Sequence, residues 1–200
     1  MLPRFGLGAL LALALAAGSA SAQRLTKQEA DQFTVKLTRI VEYGKAKPRG
    51  TAVQRSTQIT DDELNAYFRH HAKDQIPVGI VDPAIHAVGD GKLTGRAIVD
   101  LDAVRKQKPR GWLDPMGYLT GRLPLTAAGT LTTKDGVGRF NLESAEISGV
   151  AVPKTLIQEM LTYYSKTPEN PTGINMDAPF ELPAGIREIR VGKAQATIVQ

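Results

Sequence analysis

The chain has 200 residues, a net charge of +5 and a pI near 9.5, and it contains no cysteine. Disulfides, thiolate metal sites and cysteine nucleophiles are therefore excluded. A hydrophobic share of 42% with 22% charged residues fits a folded domain and argues against disorder.

Residues 1–22 have the three-part layout of a secretory signal. Arg4 supplies the positive start, Leu7 to Ala17 form an apolar run, and Ala20-Ser21-Ala22 supply small residues before a cleavage point at Gln23. The run is short of the roughly 20 apolar residues that span a bilayer. Residues 23–200 are then expected as a single exported domain, periplasmic or extracellular. No cysteine follows the apolar run, so a lipid-modified amino terminus is excluded.

In chain order, Thr26 and Glu29 form a capping box that opens a helix with Ala30, Phe33, Leu37, Ile40 and Val41 on one face, ending near Gly44. Val53 to Ile59 reads as a short strand. Thr60 and Glu63 form a second capping box, and Leu64, Tyr67, Phe68 and His71 share one face of the helix that follows. A hairpin runs from Ala84 to Leu101 around Gly89-Asp90-Gly91, and a longer one from Leu119 to Ser148 around Lys134-Asp135-Gly136. In the last strand Phe140 and Leu142 have one parity and Ala145 and Ile147 the other, which predicts a bulge near Ser144. Pro153 to Ser165 is a third amphipathic helix. Phe180 to Pro183 reads as a connection before a final hairpin from Ile186 to Val199. The expected class is α+β, with a strongly curved antiparallel sheet wrapped around a helix and two further amphipathic helices.

The apolar parity of the long strands is rich in small residues, and glycine inside a strand often marks a close approach by another backbone or a ligand. The candidate apolar groove comprises Gly95, Ala97, Val99, Gly121, Leu123 and Ala127, covered by Leu156, Met160 and Tyr164. A second feature is electrostatic. Arg105, Lys106, Lys108 and Arg110 equal the whole positive excess of residues 23–200, and Trp112, Met116 and Tyr118 follow among glycines and a proline. Cations beside Trp and Tyr suit an anionic membrane surface or a protein or glycan partner, so Arg105, Lys106, Lys108, Arg110, Trp112 and Tyr118 are the expected docking residues of a loop.

Catalytic chemistry has little support in the sequence. His70, His71 and His86 lack metal-ligand spacing, and Asp61-Asp62 reads as first-turn charge favoured by the helix dipole. Asp100 and Asp102 alternate along a strand and read as a solvated face. No catalytic residue, metal or cofactor is expected, and no nucleic-acid motif is present.

The order of elements, with Glu63-Leu64-Asn65-Ala66-Tyr67-Phe68, Gly149-Val150-Ala151-Val152-Pro153 and Leu182-Pro183-Ala184-Gly185-Ile186, resembles the tubular lipid-binding (TULIP-like) superfamily over most of residues 50–200. It is also similar to YceB-like lipoproteins and YpmS-like proteins. The resemblance implies a helix wrapped by an antiparallel sheet, with an elongated apolar groove for lipid and no catalytic residues. The lipobox cysteine of the lipoproteins is missing here. The expected function is non-catalytic binding or shuttling of a lipid or other long apolar ligand at the cell envelope. The alternative is an envelope adaptor acting through the basic-aromatic loop.

Overall fold

The computed structural model describes residues 25–46, 54–107, 120–166 and 170–200. The expected signal segment lies outside them, as do Lys108, Arg110, Trp112 and Tyr118 of the expected docking loop. Among the described residues no helix is long and apolar enough to cross a membrane.

Among the described residues, four α-helices and two antiparallel sheets make an α+β fold with an open large sheet. Helix α1 spans Lys27–Lys45, strand β1 Ser56–Thr60 and helix α2 Asp61–His70. Strands β2 (Ile80–Gly89) and β3 (Lys92–Asp100) form the first hairpin and lead into α3 (Leu101–Gln107). Strands β4 (Arg122–Lys134) and β5 (Val137–Ile147) form the second, followed by β6 (Val150–Ala151) and α4 (Lys154–Ser165). The chain closes with β7 (Phe180–Glu181), β8 (Glu188–Gly192) and β9 (Gln195–Val199). The large sheet has the order β2-β3-β4-β5-β6, with β7 also on β5, and the small sheet the order β1-β9-β8.

Local chemistry accounts for most boundaries. Both capping boxes are formed: Thr26 and Thr60 accept from the amides of Glu29 and Glu63, whose carboxylates reach back to the cap amides. The hairpin turns place Asp90 and Gly91, and Asp135 and Gly136, at positive φ, as a two-residue type I′ turn requires. The bulge falls at Glu143, where Ala128 pairs with Ser144 but Gly129 pairs with Leu142. Its carboxylate accepts from Thr130 Oγ1 at 2.5 Å.

Three expectations change. Arg105 and Lys106, expected in a loop, belong to α3, which starts because the Asp100 carboxylate accepts from the Ala103 amide at 2.9 Å. Asp100 and Asp102 do not share a strand face. Strand β3 ends at Asp100, which also pairs with Arg122 at 3.0 Å, and Asp102 accepts from the Gly121 amide at 3.1 Å. Phe180–Glu181 is a strand and not a bare connection, because Gly138 on β5 leaves room for the Phe180 ring.

A hydrophobic core forms against the small sheet. Ile40, Leu182, Ile186 and Ile198 are buried between α1 and the small sheet, with Ile59, Ala184 and Ile189 packed around them. The Gln200 amide donates to the carbonyls of Ile40 and Ala184 and ties the chain end to this core. Helices α1 and α2 are joined by Lys36 and the buried Glu63 at 2.6 Å, by the Phe33 and Tyr67 rings at 4.8 Å, and by His71 and Asp31 at 2.7 Å.

Candidate functional site

Two surfaces of the large sheet result from strand alternation. Register pairs Gly95 with Ala127, Ala97 with Leu125, and Val99 with Leu123, and β5 adds Ala145 and Ile147 to the same side. Partners directly opposite in an antiparallel pair share a face, so these residues make one inner apolar face. The other parity carries His86, Thr94, Arg96, Thr126, Ser144 and Glu146 and is the outer polar face.

The inner face is only partly covered. Ala97, Val99, Leu123, Leu125 and Ile147 are half-buried, and no large side chain among the described residues is fully enclosed. The glycines of this face divide into two kinds. A Cβ on Gly129 would lie 2.5 Å from the Phe140 ring, so that glycine exists to let the ring lie across the strand. A Cβ on Gly95 would meet only the Ala84 carbonyl oxygen, at 3.9 Å. Gly95 is therefore not filled by a closely packed neighbour.

The other candidate groove residues are distributed as follows. Gly121 sits at positive φ just before β4, with nothing within 4 Å of its missing Cβ. Helix α4 packs beside β5, with Met160 half-buried and Leu156 36% exposed. The Gln158 side chain holds α4 to the following strap, donating to the Ile174 carbonyl and accepting from the Met176 amide. The side chains of Tyr164 and Arg105 lie outside what is described, and Lys106 is exposed on α3.

A groove of about 680 Å³ lies on the outer face. Its floor is small and hydroxylated (Ala84, Thr94, Thr126, Ala128), and Gly95 and Ala127 also line it. By alternation these last two present backbone from this side. Ser144 and Glu146 line it from β5, and Asp61, Asp62 and Asn65 from the first turns of α2.

Sequence reading missed this site because its residues come from α2, four strands of the large sheet and the β8–β9 turn. The available signal was the polar parity of β3 and β4. It also gave Asp61 only a helix-dipole role. In the fold, Asp61 accepts from the Ala87 amide at 3.0 Å and lies 2.5 Å from His86 Nδ1. Asn65 donates to the Ile85 carbonyl and accepts from the Ile85 amide, both at 2.8 Å. Helix α2 thus covers the free edge of β2 with side chains, which satisfies backbone groups that an edge strand leaves open. The Asp62 carboxyl is pushed above its usual range, first by burial and then by Glu29 and Asp61. Among the described residues no group of three or more His, Asp or Glu side chains is placed to hold a metal ion.

No protein-family model matches this chain, and no curated protein matches it. Among solved structures, it is similar to one described as the crystal structure of lipopolysaccharide binding protein. The identity is 17%, the TM-score is 0.23, and the match covers 72% of this chain. The chain spans 40% of the length of that protein. A likeness of this size carries no argument about function, so the site must be read from its own residues.

Proposed function

We propose that this protein binds a lipid or another long apolar molecule on the inner face of the large sheet, outside the cytoplasm and without catalysis. The observation that carries the reading is the unfilled space over Gly95 on a half-buried apolar face that runs across β3, β4 and β5. Each methylene buried there contributes about 0.8 kcal/mol, so an acyl chain needs no dedicated polar partner. The export signal at residues 1–22 and the basic-aromatic segment from Arg105 to Tyr118 support action beside a membrane, where cations and aromatic rings favour the interface.

The test is titration with a fluorescent fatty acid. The parent chain is expected to bind it, and Gly95→Leu, which fills the open space, is expected to weaken binding about tenfold or more with the melting temperature little changed. Absence of binding by the parent, together with no lipid in native mass spectra, would sink the reading. Membrane docking is separable: charge reversal at Arg105, Lys106 and Lys108 is expected to reduce co-sedimentation with anionic vesicles, and unchanged co-sedimentation removes that part.

A further inference from the structure

The outer groove lies on the face of the sheet opposite the proposed apolar site, so what it does is independent of that reading. Arg96, Thr126 and Glu146 lie in one cross-strand row, because Arg96 pairs with Thr126 and Thr126 with Glu146. All three line the groove and are exposed. Arg96 and Glu146 have no ion-pair partner among the described residues. Two strand spacings separate their backbones by about 10 Å on the same face.

Thr126 between them is short, and Ala128 beside it is shorter, so the space over the row is left to a ligand. His86 closes one side and is held there by Asp61. A simple anion would be drawn to Arg96 but repelled by Asp62 and Glu146. A simple cation would be drawn to the carboxylates but repelled by Arg96. A molecule carrying both charges finds an opposite charge for each of its ends.

From this geometry we infer that the groove is a second binding site, which takes a small zwitterion with its anionic group on Arg96 and its ammonium group on Glu146. Thr94 and Thr126 offer hydroxyls to the anionic end. The same chemistry exists in free amino phosphates and in the headgroups of zwitterionic lipids.

The experiment is calorimetric titration of the purified chain with phosphoethanolamine, ethyl phosphate and ethanolamine. Phosphoethanolamine is expected to bind, and each half-molecule at least about tenfold more weakly, because one charge-assisted contact is missing. Arg96→Gln and Glu146→Gln are each expected to lower phosphoethanolamine affinity by about tenfold or more. Arg139→Gln, on an exposed β5 position outside the groove, is expected to leave it unchanged. Both groove substitutions are at exposed positions, so melting curves should match the parent.

Phosphatidylethanolamine vesicles separate the two sources. Co-sedimentation that is lost in Arg96→Gln and Glu146→Gln assigns the site to a lipid headgroup, and binding of free phosphoethanolamine alone assigns it to soluble zwitterions. Equal affinity for ethyl phosphate and phosphoethanolamine, equal affinity of both groove variants and the parent, or no binding at millimolar ligand overturns the inference. Fatty-acid binding by the Arg96→Gln chain distinguishes this failure from failure of the apolar site.

Discussion

Asn65 shows how one side chain joins a helix to a sheet. Its amide matches the Ile85 peptide donor to acceptor and acceptor to donor. Asn65→Ala leaves both backbone groups of a half-buried edge without their partner, and the expected loss is about 1–3 kcal/mol in chemical denaturation. Faster hydrogen exchange at the Ile85 amide locates the effect, and unchanged exchange there would contradict it. Asp62 gives a pH signature. Its folded-state pKa is raised, so the folded chain holds the proton more tightly than the unfolded one. Stability therefore falls as pH rises from the ordinary carboxyl value of 3.8 through the raised folded value. Asp62→Asn removes that slope. Parallel stability–pH curves for the two chains would contradict a raised Asp62 pKa in the folded chain.

Among elements, α3 and β5 depend on few residues. Helix α3 begins because Asp100 caps it. The Ala103 amide, then Arg122, holds the Asp100 carboxyl below its usual value of 3.8. A lowered folded pKa adds stability above the unfolded value, and that stability is lost as pH falls through the folded one. Asp100→Ala is expected to lower the protection factor of the Ala103 amide at neutral pH, and acidification below about 3.8 to lower it in the parent relative to the intrinsic rate at that pH. Strand β5 keeps Phe140, Leu142, Ala145 and Ile147 on one face only because Glu143 is an extra residue opposite β4. Deleting Glu143 leaves all four on that face in a regular strand. Deleting Asn141 turns Leu142 outward and Glu143 inward. The second deletion is expected to lower the melting temperature more than the first, since it puts a carboxylate on an apolar face.

The whole molecule has an uneven interior. Its closed core lies between α1 and the small sheet, while the large sheet keeps a half-covered apolar face and a grooved polar one. A ligand that binds the folded chain alone raises its stability by about 2.7 kcal/mol at a hundredfold excess over Kd. Saturating fatty acid is therefore expected to raise the melting temperature of the parent more than that of Gly95→Leu. An equal rise in both would place the ligand elsewhere.

Local rules make much of this fold legible in the sequence. Thr26-Glu29 and Thr60-Glu63 fix helix starts by short-range hydrogen bonds, Asp90-Gly91 and Asp135-Gly136 fix turns by backbone preference, and the parity change around Ser144 marks the bulge. Alternation along β3 and β4 also separated an apolar from a polar face. The sequence by itself thus determined most of the elements, the α+β class and the small-residue face, because each depends on residues a few positions apart, while α3 and β7 were not legible in it. Only the tertiary structure decided which glycines of that face are filled, since Gly95 and Gly129 have the same local pattern and differ in what crosses above them. It alone joined β1 to the final hairpin, fastened α2 to the β2 edge, and brought Asp61 to His86 and Arg96 into one row with Glu146. Those contacts are made by strand register and helix docking, which bring together residues that no sequence window contains.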